Sequence, residues 1–222
     1  MNPIVKQVFW IAVFFIGLSL QGIPELFRKN EKAYKIMGTW IRNLGILIFI
    51  VPIMLAPFDA QPRVEGILGC SFRIVGIILA ALGTVLIAIS SKHLLKVAGP
   101  EQIPRELITN GVYSKVRNPI YTGVVLLTMG WSLVWRAIYS FFIITGMVIL
   151  ILLALIKFVE EPMLARLFGD EFLEYRKRVP MLFPLPIMVV IIALVITVMA
   201  SVATGLISLT YSCLERCACY FI

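Results

Sequence analysis

The sequence has little charge and almost no histidine. Of its 222 residues, 14% are charged, 60% are hydrophobic and one, His93, is histidine. A chain this apolar is not a disordered protein or an ordinary soluble domain of its length, and its continuous apolar runs disfavour a transmembrane β-barrel, whose strands alternate apolar and polar residues. Catalytic His-Cys or His-Asp pairs are excluded unless they include His93, which we interpret as an interfacial polar residue.

Cysteine is also sparse, and its spacing is not that of a metal site. Cys70 begins an apolar run, and Cys213, Cys217 and Cys219 fall in the last ten residues, without the paired Cys or His doublets of a zinc site. Residues 219–222 have the form of a prenylation box, but Tyr and Phe are poor middle residues. We therefore predict palmitoylated or unmodified juxtamembrane cysteines and no bound metal.

Long apolar runs dominate what is present. In a bilayer, backbone groups must be hydrogen-bonded within the segment, and a helix needs about 20 apolar residues to cross the hydrocarbon. The sequence therefore predicts an all-α integral membrane protein with five to six transmembrane helices. The six predicted spans cover about Pro3–Phe27, Thr39–Phe58, Ile67–Ser91, Ile120–Trp135, Ala137–Val159 and Pro186–Thr210.

The basic residues predict the orientation of these spans. Three connections, 28–35, 92–117 and 157–178, hold fourteen lysines and arginines, against four on the opposite side. Cytoplasmic loops carry this excess, so the N-terminus is predicted outside and the three basic connections in the cytoplasm. This topology explains the net charge of +8 better than nucleic-acid binding, because aromatic residues are not interleaved with the basic ones.

These patterns divide the chain into three predicted regions. Residues 1–91 hold three N-terminal transmembrane helices, 92–184 form the catalytic region with a helical hairpin and a cytoplasmic amphipathic helix, and 185–222 add a further transmembrane helix and the cysteine-containing tail. Small residues in 200–205 permit homo-oligomerisation through that last helix. Two cytoplasmic segments of the middle region are longer than adjacent helices require, so we look for function there.

The two segments also have plain structural readings. In the first, Asn110-Gly111 indicates a turn and Pro119 suits the first turn of the next span, as in a capped membrane-entry loop. In the second, apolar residues at helical spacing predict an amphipathic surface helix that ends at Gly169. Glu160 and Glu161 are harder to explain this way, because a carboxylate at the membrane interface is costly without a cationic partner or water.

Taken together, the segments resemble the isoprenylcysteine carboxyl methyltransferase and phospholipid methyltransferase superfamily. Residues 107–123 read Leu-Ile-Thr-Asn-Gly-Val-Tyr-Ser-Lys-Val-Arg-Asn-Pro-Ile-Tyr-Thr-Gly, and after a hydrophobic hairpin and a Glu-Glu pair, 167–180 read Leu-Phe-Gly-Asp-Glu-Phe-Leu-Glu-Tyr-Arg-Lys-Arg-Val-Pro. The likeness covers residues 105–184, about a third of the chain. The order and spacing of these motifs make it specific.

The resemblance implies an integral-membrane enzyme that transfers a methyl group from S-adenosylmethionine to a lipid-like acceptor, such as a prenylcysteine carboxylate. It places the cofactor in a cytoplasmic-side pocket built from the C-terminal half, with the lipid entering from the bilayer. By position, Glu160 matches the carboxylate that holds the cofactor's amino group. The implied catalytic residues are Arg117, Tyr121 and Glu160, and the implied cofactor-binding residues are Glu106, Leu107, Ile108, Gly111, Tyr113, Asn118, Pro119, Ile120, Tyr121 and Glu160.

The chemistry of methyl transfer agrees with this assignment. S-adenosylmethionine carries a sulfonium and an ammonium, so a carboxylate at a dry interface gains a cationic partner. Displacement at an already activated methyl group needs alignment, desolvation and proximity more than acid-base groups. A chain with one histidine and twelve carboxylates is sufficient for that task.

Two positions depart from the family pattern and leave the acceptor open. Asn118 stands where the family usually has histidine, which leaves amide hydrogen bonding at that position. Ile156 stands where eukaryotic prenylcysteine methyltransferases carry an arginine linked to the acceptor. The acceptor is therefore a prenylcysteine carboxylate, a phospholipid amine, another isoprenoid or a small thiol.

The alternatives to this enzyme are a non-catalytic membrane scaffold or transporter built on six helices, and a nicotinamide-dependent lipid reductase. A transporter would show ionisable residues at mid-membrane or broken helices in matched halves, and neither half of this chain mirrors the other. A nicotinamide-dependent lipid reductase would need a glycine-rich phosphate-binding motif, which the sequence lacks.

Overall fold

The computed structural model describes residues 3–22, 39–97 and 106–182, and these segments are helical. Six α-helices are seen: α1 (Pro3–Gly22), α2 (Thr39–Leu55), α3 (Gly66–Val97), α4 (Pro119–Val134), α5 (Thr145–Leu155) and α6 (Glu161–Arg178). Short 3₁₀ helices cover Ala56–Phe58 and Gly111–Ser114, and π-helical segments cover Ser140–Ile144 and Ile156–Glu160. The described chain contains no strand, only an isolated bridge between Arg63 and Ala137.

Five of the six predicted spans coincide with these helices. The third is longer than predicted, because α3 continues to Val97 and carries His93, whose Nδ1 lies 2.9 Å from the Ile89 carbonyl oxygen. The sixth predicted span, with the tail cysteines and the predicted oligomer contact, lies outside the described residues. The number of membrane crossings stays a prediction.

Length and composition qualify two helical stretches to cross a membrane. They are Leu68–Val97 and Ser140–Arg178, and shorter apolar helices cover Val5–Leu20, Asn43–Phe58 and Pro119–Val134. Much of the apolar surface of α3 faces outward: Ile78, Leu82 and Val85 are each more than half exposed. Exposing such a continuous apolar face to water would cost free energy, whereas contact with lipid would not.

Close backbone contact joins α3 to α4. The two helices run antiparallel, and Gly76 and Gly83 of α3 lie against Gly130 and Gly123 of α4. A Cβ added at Gly83 would lie 2.6 Å from the Gly123 carbonyl oxygen, so no larger residue fits without displacing the helices. Small residues allow such an approach between membrane helices. The contact fixes the end of α3 beside the start of α4, where the cavity described below is found.

The predicted hairpin between the fourth and fifth spans is confirmed. Its turn is at Arg136, which has a φ of 57°, and Arg63 braces the turn by donating from Nη1 to the Trp135 carbonyl oxygen at 2.6 Å. Gln61 binds the far side of the turn, accepting a hydrogen bond from the Ser140 backbone N–H at 2.9 Å. Side chains that include those of α1, α2, α4 and α5 form the hydrophobic core. The most buried core residues include Phe14, Ile53, Val125, Met129, Ile144, Val148 and Leu152.

The predicted end of the amphipathic helix at Gly169 coincides with a break between two helical stretches. At Gly169 the backbone takes a φ of 51° and a ψ of −129°, but the helix resumes and α6 ends only at Arg178. Glycine reaches positive φ without the steric cost that other residues carry, so the first helical stretch ends at Gly169 in a kink and a second stretch follows. The second half of α6 turns Phe172 and Tyr175 inward, and both are buried.

Candidate functional site

A cavity of about 250 Å³ lies at the end of the helices opposite the Arg136 turn. It is bounded by the end of α3, the loop 106–118, the first turn of α4, the second π segment and α6. Most of its surface is apolar or aromatic. The lining residues are Leu94, Glu106, Leu107, Ile108, Tyr113, Arg117, Asn118, Pro119, Ile120, Tyr121, Glu160, Glu161, Met163, Leu164, Phe172 and Tyr175.

This cavity brings together the site residues that the sequence predicted, with one exception. Each of the predicted residues from Glu106 to Glu160 lines it except Gly111, which lies beside His93 and turns the chain with a φ of 59°. The positive φ is the reason for glycine there, since it begins the 3₁₀ turn that presents Tyr113. Gly111 therefore shapes the loop and does not line the cavity.

The loop that follows Gly111 is fixed by tyrosine hydroxyls. Tyr175 of α6 donates to the Tyr113 carbonyl oxygen at 2.6 Å, and the Tyr113 hydroxyl reaches the Ser90 carbonyl oxygen of α3 at 3.4 Å. Burial, with a smaller contribution from the nearby Glu160 carboxylate, raises the pKa of Tyr113 above its ordinary value. Tyr113 is therefore a neutral aromatic wall of the cavity at physiological pH.

Pro119 begins α4, as predicted, and thereby presents the following residues to the cavity. Its missing N–H costs nothing at the first helical position, and Asn118 precedes it as the cap. The Tyr121 hydroxyl, within the first turn, donates a hydrogen bond to Glu160 Oε1. The two residues are 39 positions apart, so the hairpin is what joins them.

A π-helical segment delivers Glu160. Residues Ile156–Glu160 form one π turn between α5 and α6, which widens the helix and changes the direction of the side chains that follow. Glu160 and Glu161 are consecutive, yet both line the cavity. Ile156, four residues before Glu160, is fully buried in the protein and does not line the cavity.

The neighbouring carboxylate, Glu161, has cationic partners. Arg117 Nη1 donates to Glu161 Oε1, and Arg176 Nη1 lies 3.6 Å from Glu161 Oε2. The side chains of Arg117 and Glu161 are each only 10% exposed. Arg117 also donates from Nε to the Val179 carbonyl oxygen at 2.9 Å.

Sequence reasoning missed Glu161 and the aromatic pair on α6. The sequence pattern assigns no separate role to Glu161, and it predicts that Phe172 and Tyr175 continue the apolar stripe of a surface helix. Phe172 and Tyr175 are buried because the chain kinks at Gly169 and then continues as a second helical stretch. The sequence has no clear signal for this continuation. No group of three or more metal-ligating side chains occurs among the described residues.

The geometry defines the chemistry that the cavity can perform. Arg117 and Glu161 neutralise each other, whereas Glu160 has a phenol as its hydrogen-bond partner and no cation at ion-pair distance among the described residues. A partly buried carboxylate without a cation, surrounded by tyrosines, favours a positively charged ligand. The cavity is therefore suited to bind a small organic cation.

Comparison with known proteins gives a family for this arrangement. The phospholipid methyltransferase family model matches residues 66–171, which include α3, the loop, the hairpin and the kink in α6. Protein-S-isoprenylcysteine O-methyltransferase B of Arabidopsis thaliana is 28% identical over 137 residues, covering 62% of this chain and 68% of that protein.

A second relative matches a shorter part. Protein-S-isoprenylcysteine O-methyltransferase of Schizosaccharomyces pombe is 36% identical over 85 residues, which are 36% of this chain and 33% of that protein. No solved structure gives a significant match. The family match and the two relatives agree on the enzyme class, and they support the resemblance of this chain to the isoprenylcysteine and phospholipid methyltransferase superfamily.

Proposed function

We propose that this protein is an integral-membrane methyltransferase that uses S-adenosylmethionine and transfers the methyl group to a lipid-like acceptor. The observation that carries the proposal is Glu160: a carboxylate in an aromatic cavity whose partner is a neutral phenol. S-adenosylmethionine brings two positive charges, and when bound it supplies an activated methyl group. The residues present fit that group.

The roles of individual residues follow from where they line the cavity. Glu160 would hold the ammonium, with Tyr121 orienting its carboxylate. Tyr113 and Tyr121 offer π faces to a sulfonium, a contact worth about 0.5–2 kcal/mol. Glu106, Leu107 and Ile108 line the wall formed by the loop, and Asn118, Pro119 and Ile120 line the wall at the start of α4.

Catalysis in such a site needs little acid-base chemistry. The residues of the cavity would hold the acceptor close to the activated methyl group and would exclude water. An apolar cavity at the end of membrane helices suits both, because a lipid-like acceptor reaches it from the bilayer while bulk water is kept out. The predicted cytoplasmic side would give the soluble cofactor access.

We propose the acceptor class from the names of two relatives and from the residue Ile156. Two relatives are named as isoprenylcysteine methyltransferases, which favours a prenylcysteine carboxylate on a lipidated protein. A phospholipid amine is the second candidate, because the matching family model is that of phospholipid methyltransferases and Ile156 supplies no cation for a carboxylate. Both acceptors are lipids with a small nucleophilic head.

Binding and transfer measurements test the proposal separately. Calorimetry on the protein in lipid nanodiscs should give micromolar binding of S-adenosylhomocysteine, and Glu160→Ala should weaken it at least tenfold, about 1.4 kcal/mol. Absence of binding in nanodiscs and in several detergents would overturn the enzyme assignment. Radiolabelled S-adenosylmethionine added to membranes would then identify the acceptor, by whether label enters protein or phospholipid.

A further inference from the structure

Two adjacent glutamates enter the cavity and differ in their partners. Glu160 accepts a hydrogen bond from the Tyr121 hydroxyl. Glu161 binds two guanidinium groups, those of Arg117 and Arg176. The two glutamates are adjacent in sequence but have different partners, so we expect them to have different roles.

Arg117 links Glu161 to the segment after α6. Its Nε donates to the Val179 carbonyl oxygen at 2.9 Å, and its backbone N–H donates to the Pro180 carbonyl oxygen, also at 2.9 Å. Asn118 adds two hydrogen bonds to the Met181 carbonyl oxygen, from its backbone N–H at 3.2 Å and from Nδ2 at 2.9 Å. Residues 179–181 are thus held by four hydrogen bonds against the start of α4, next to the cavity.

Burial makes the guanidinium depend on Glu161. With about a tenth of each side chain exposed, removing one charge leaves the other in low dielectric without compensation. A guanidinium in that condition moves toward water, and its Nε bond to Val179 is then lost. Glu161 therefore helps to fix the Arg117 guanidinium, which supplies one of the four hydrogen bonds that hold 179–181.

We propose that Glu161 is a positioning residue that fixes Arg117 and, through it, the segment 179–181 beside the cavity, leaving the cofactor's ammonium to Glu160 alone. The division of labour rests on the proposed function, since it assigns the cofactor to one of two carboxylates. It gives Arg117 a positioning role in place of the catalytic one predicted from sequence.

Two ligands distinguish the role of Glu160 from that of Glu161. S-adenosylhomocysteine has the amino-acid ammonium, whereas 5′-methylthioadenosine has the same nucleoside and thioether without it. Glu160→Gln should weaken S-adenosylhomocysteine at least tenfold and 5′-methylthioadenosine less than twofold, measured by calorimetry in nanodiscs. Glu161→Gln should weaken both ligands by the same factor, within twofold, because it changes the shape of the site and not its contact with the ammonium.

Hydrogen exchange reports the positioning directly and needs no ligand. The backbone amides of Arg117 and Asn118 donate to residues 180 and 181, so their exchange should rise at least fivefold in Glu161→Gln and stay unchanged in Glu160→Gln. Glu174→Gln is the matched control, since that carboxylate is on α6 as well but is 74% exposed and pairs with Arg178 at 4.0 Å. On an Arg117→Gln background, Glu161→Gln should add nothing further.

Specific results would overturn the proposal. If Glu161→Gln weakens S-adenosylhomocysteine tenfold and leaves 5′-methylthioadenosine unchanged, Glu161 acts on the amino-acid end of the ligand, which carries a carboxylate besides the ammonium, and not on the shape of the site. Unchanged exchange at Arg117 and Asn118 would show that Glu161 does not hold the segment. If Glu161→Gln does not fold, Arg117→Lys takes its place, because it keeps the positive charge and removes the guanidinium that binds both Glu161 and Val179. Hydrogen exchange at the backbone amides of residues 117 and 118 must then rise by the same factor. If the wild type binds neither ligand, the proposed function and the division of labour both fail, while the exchange experiment still decides the positioning role.

Discussion

The Tyr121 hydroxyl donates a hydrogen bond to the carboxylate of Glu160, joining the first turn of α4 to the π segment that precedes α6. The bond holds a carboxylate at a fixed place in the cavity without neutralising it. A phenol is suited to this, because it offers one donor and an aromatic face and brings no charge. Glu160 is thus kept oriented and available to a cation.

Tyr121→Phe tests that orientation. The change keeps the ring and removes the donor, so we expect S-adenosylhomocysteine to bind about fivefold more weakly, roughly 1 kcal/mol. Calorimetry in nanodiscs measures the effect. Tyr139→Phe, at the opposite end of the helices and outside the cavity lining, is the control and should leave binding unchanged. Equal binding by Tyr121→Phe and the wild type would mean that the hydrogen bond does not prepare the site.

Tyr175→Phe tests how the loop is held. The Tyr175 hydroxyl donates to the Tyr113 carbonyl oxygen in a buried place, and its loss leaves that carbonyl without its partner. We expect a destabilisation of about 1–3 kcal/mol, seen as a lower melting temperature in nanodiscs and faster hydrogen exchange in 111–116. The same Tyr139→Phe control should change neither quantity. A melting temperature equal to that of the wild type would contradict the assigned bond.

Much of the fold was predictable because its sequence signals are local. Pro119 marks the start of α4, and Asn110-Gly111 marks the turn before it, which the positive φ of Gly111 confirms. The hairpin turn was predictable from Arg136, the one charge between two apolar runs. Each of these features depends on residues within a few positions, where turn and helix preferences act.

The remaining features depend on contacts distant in sequence. The π segments leave no trace in the sequence, because α5, which lies between them, is almost entirely apolar and has no polar pattern that would reveal a change in helical period. Glycine commonly marks the end of a helix, and after Gly169 a second helical stretch follows, in which Phe172 and Tyr175 are buried. The ion pair of Glu161 with Arg117 joins residues 44 apart, and no spacing rule predicts it.

Gly83→Leu tests the close packing of α3 against α4, which positions the residues of the cavity. The Cβ alone would lie 2.6 Å from both the Gly123 carbonyl oxygen and the Leu127 backbone nitrogen, so the helices must separate. Forcing atoms into a packed contact costs about 1–3 kcal/mol. We expect a lower melting temperature and weaker ligand binding together, since α3 carries Leu94 and α4 carries Tyr121. Gly146→Leu, where nothing lies within 4 Å, is the control and should retain both. A Gly83 variant as stable as the Gly146 variant would contradict the close approach.

Labelling of added cysteines tests the predicted orientation. Lys115 lies in the exposed turn beside the cavity, and Ala60 lies exposed at the other end, in the connection from α2 to α3. The excess of basic residues on the cavity side predicts that this side is cytoplasmic. An impermeant maleimide applied to intact cells should therefore label Ala60→Cys above the wild-type background and spare Lys115→Cys, and inverted vesicles should give the opposite pattern. The reverse result would put the cavity outside the cell, away from the cytoplasmic supply of S-adenosylmethionine, and would overturn both the orientation and the proposed access of the cofactor.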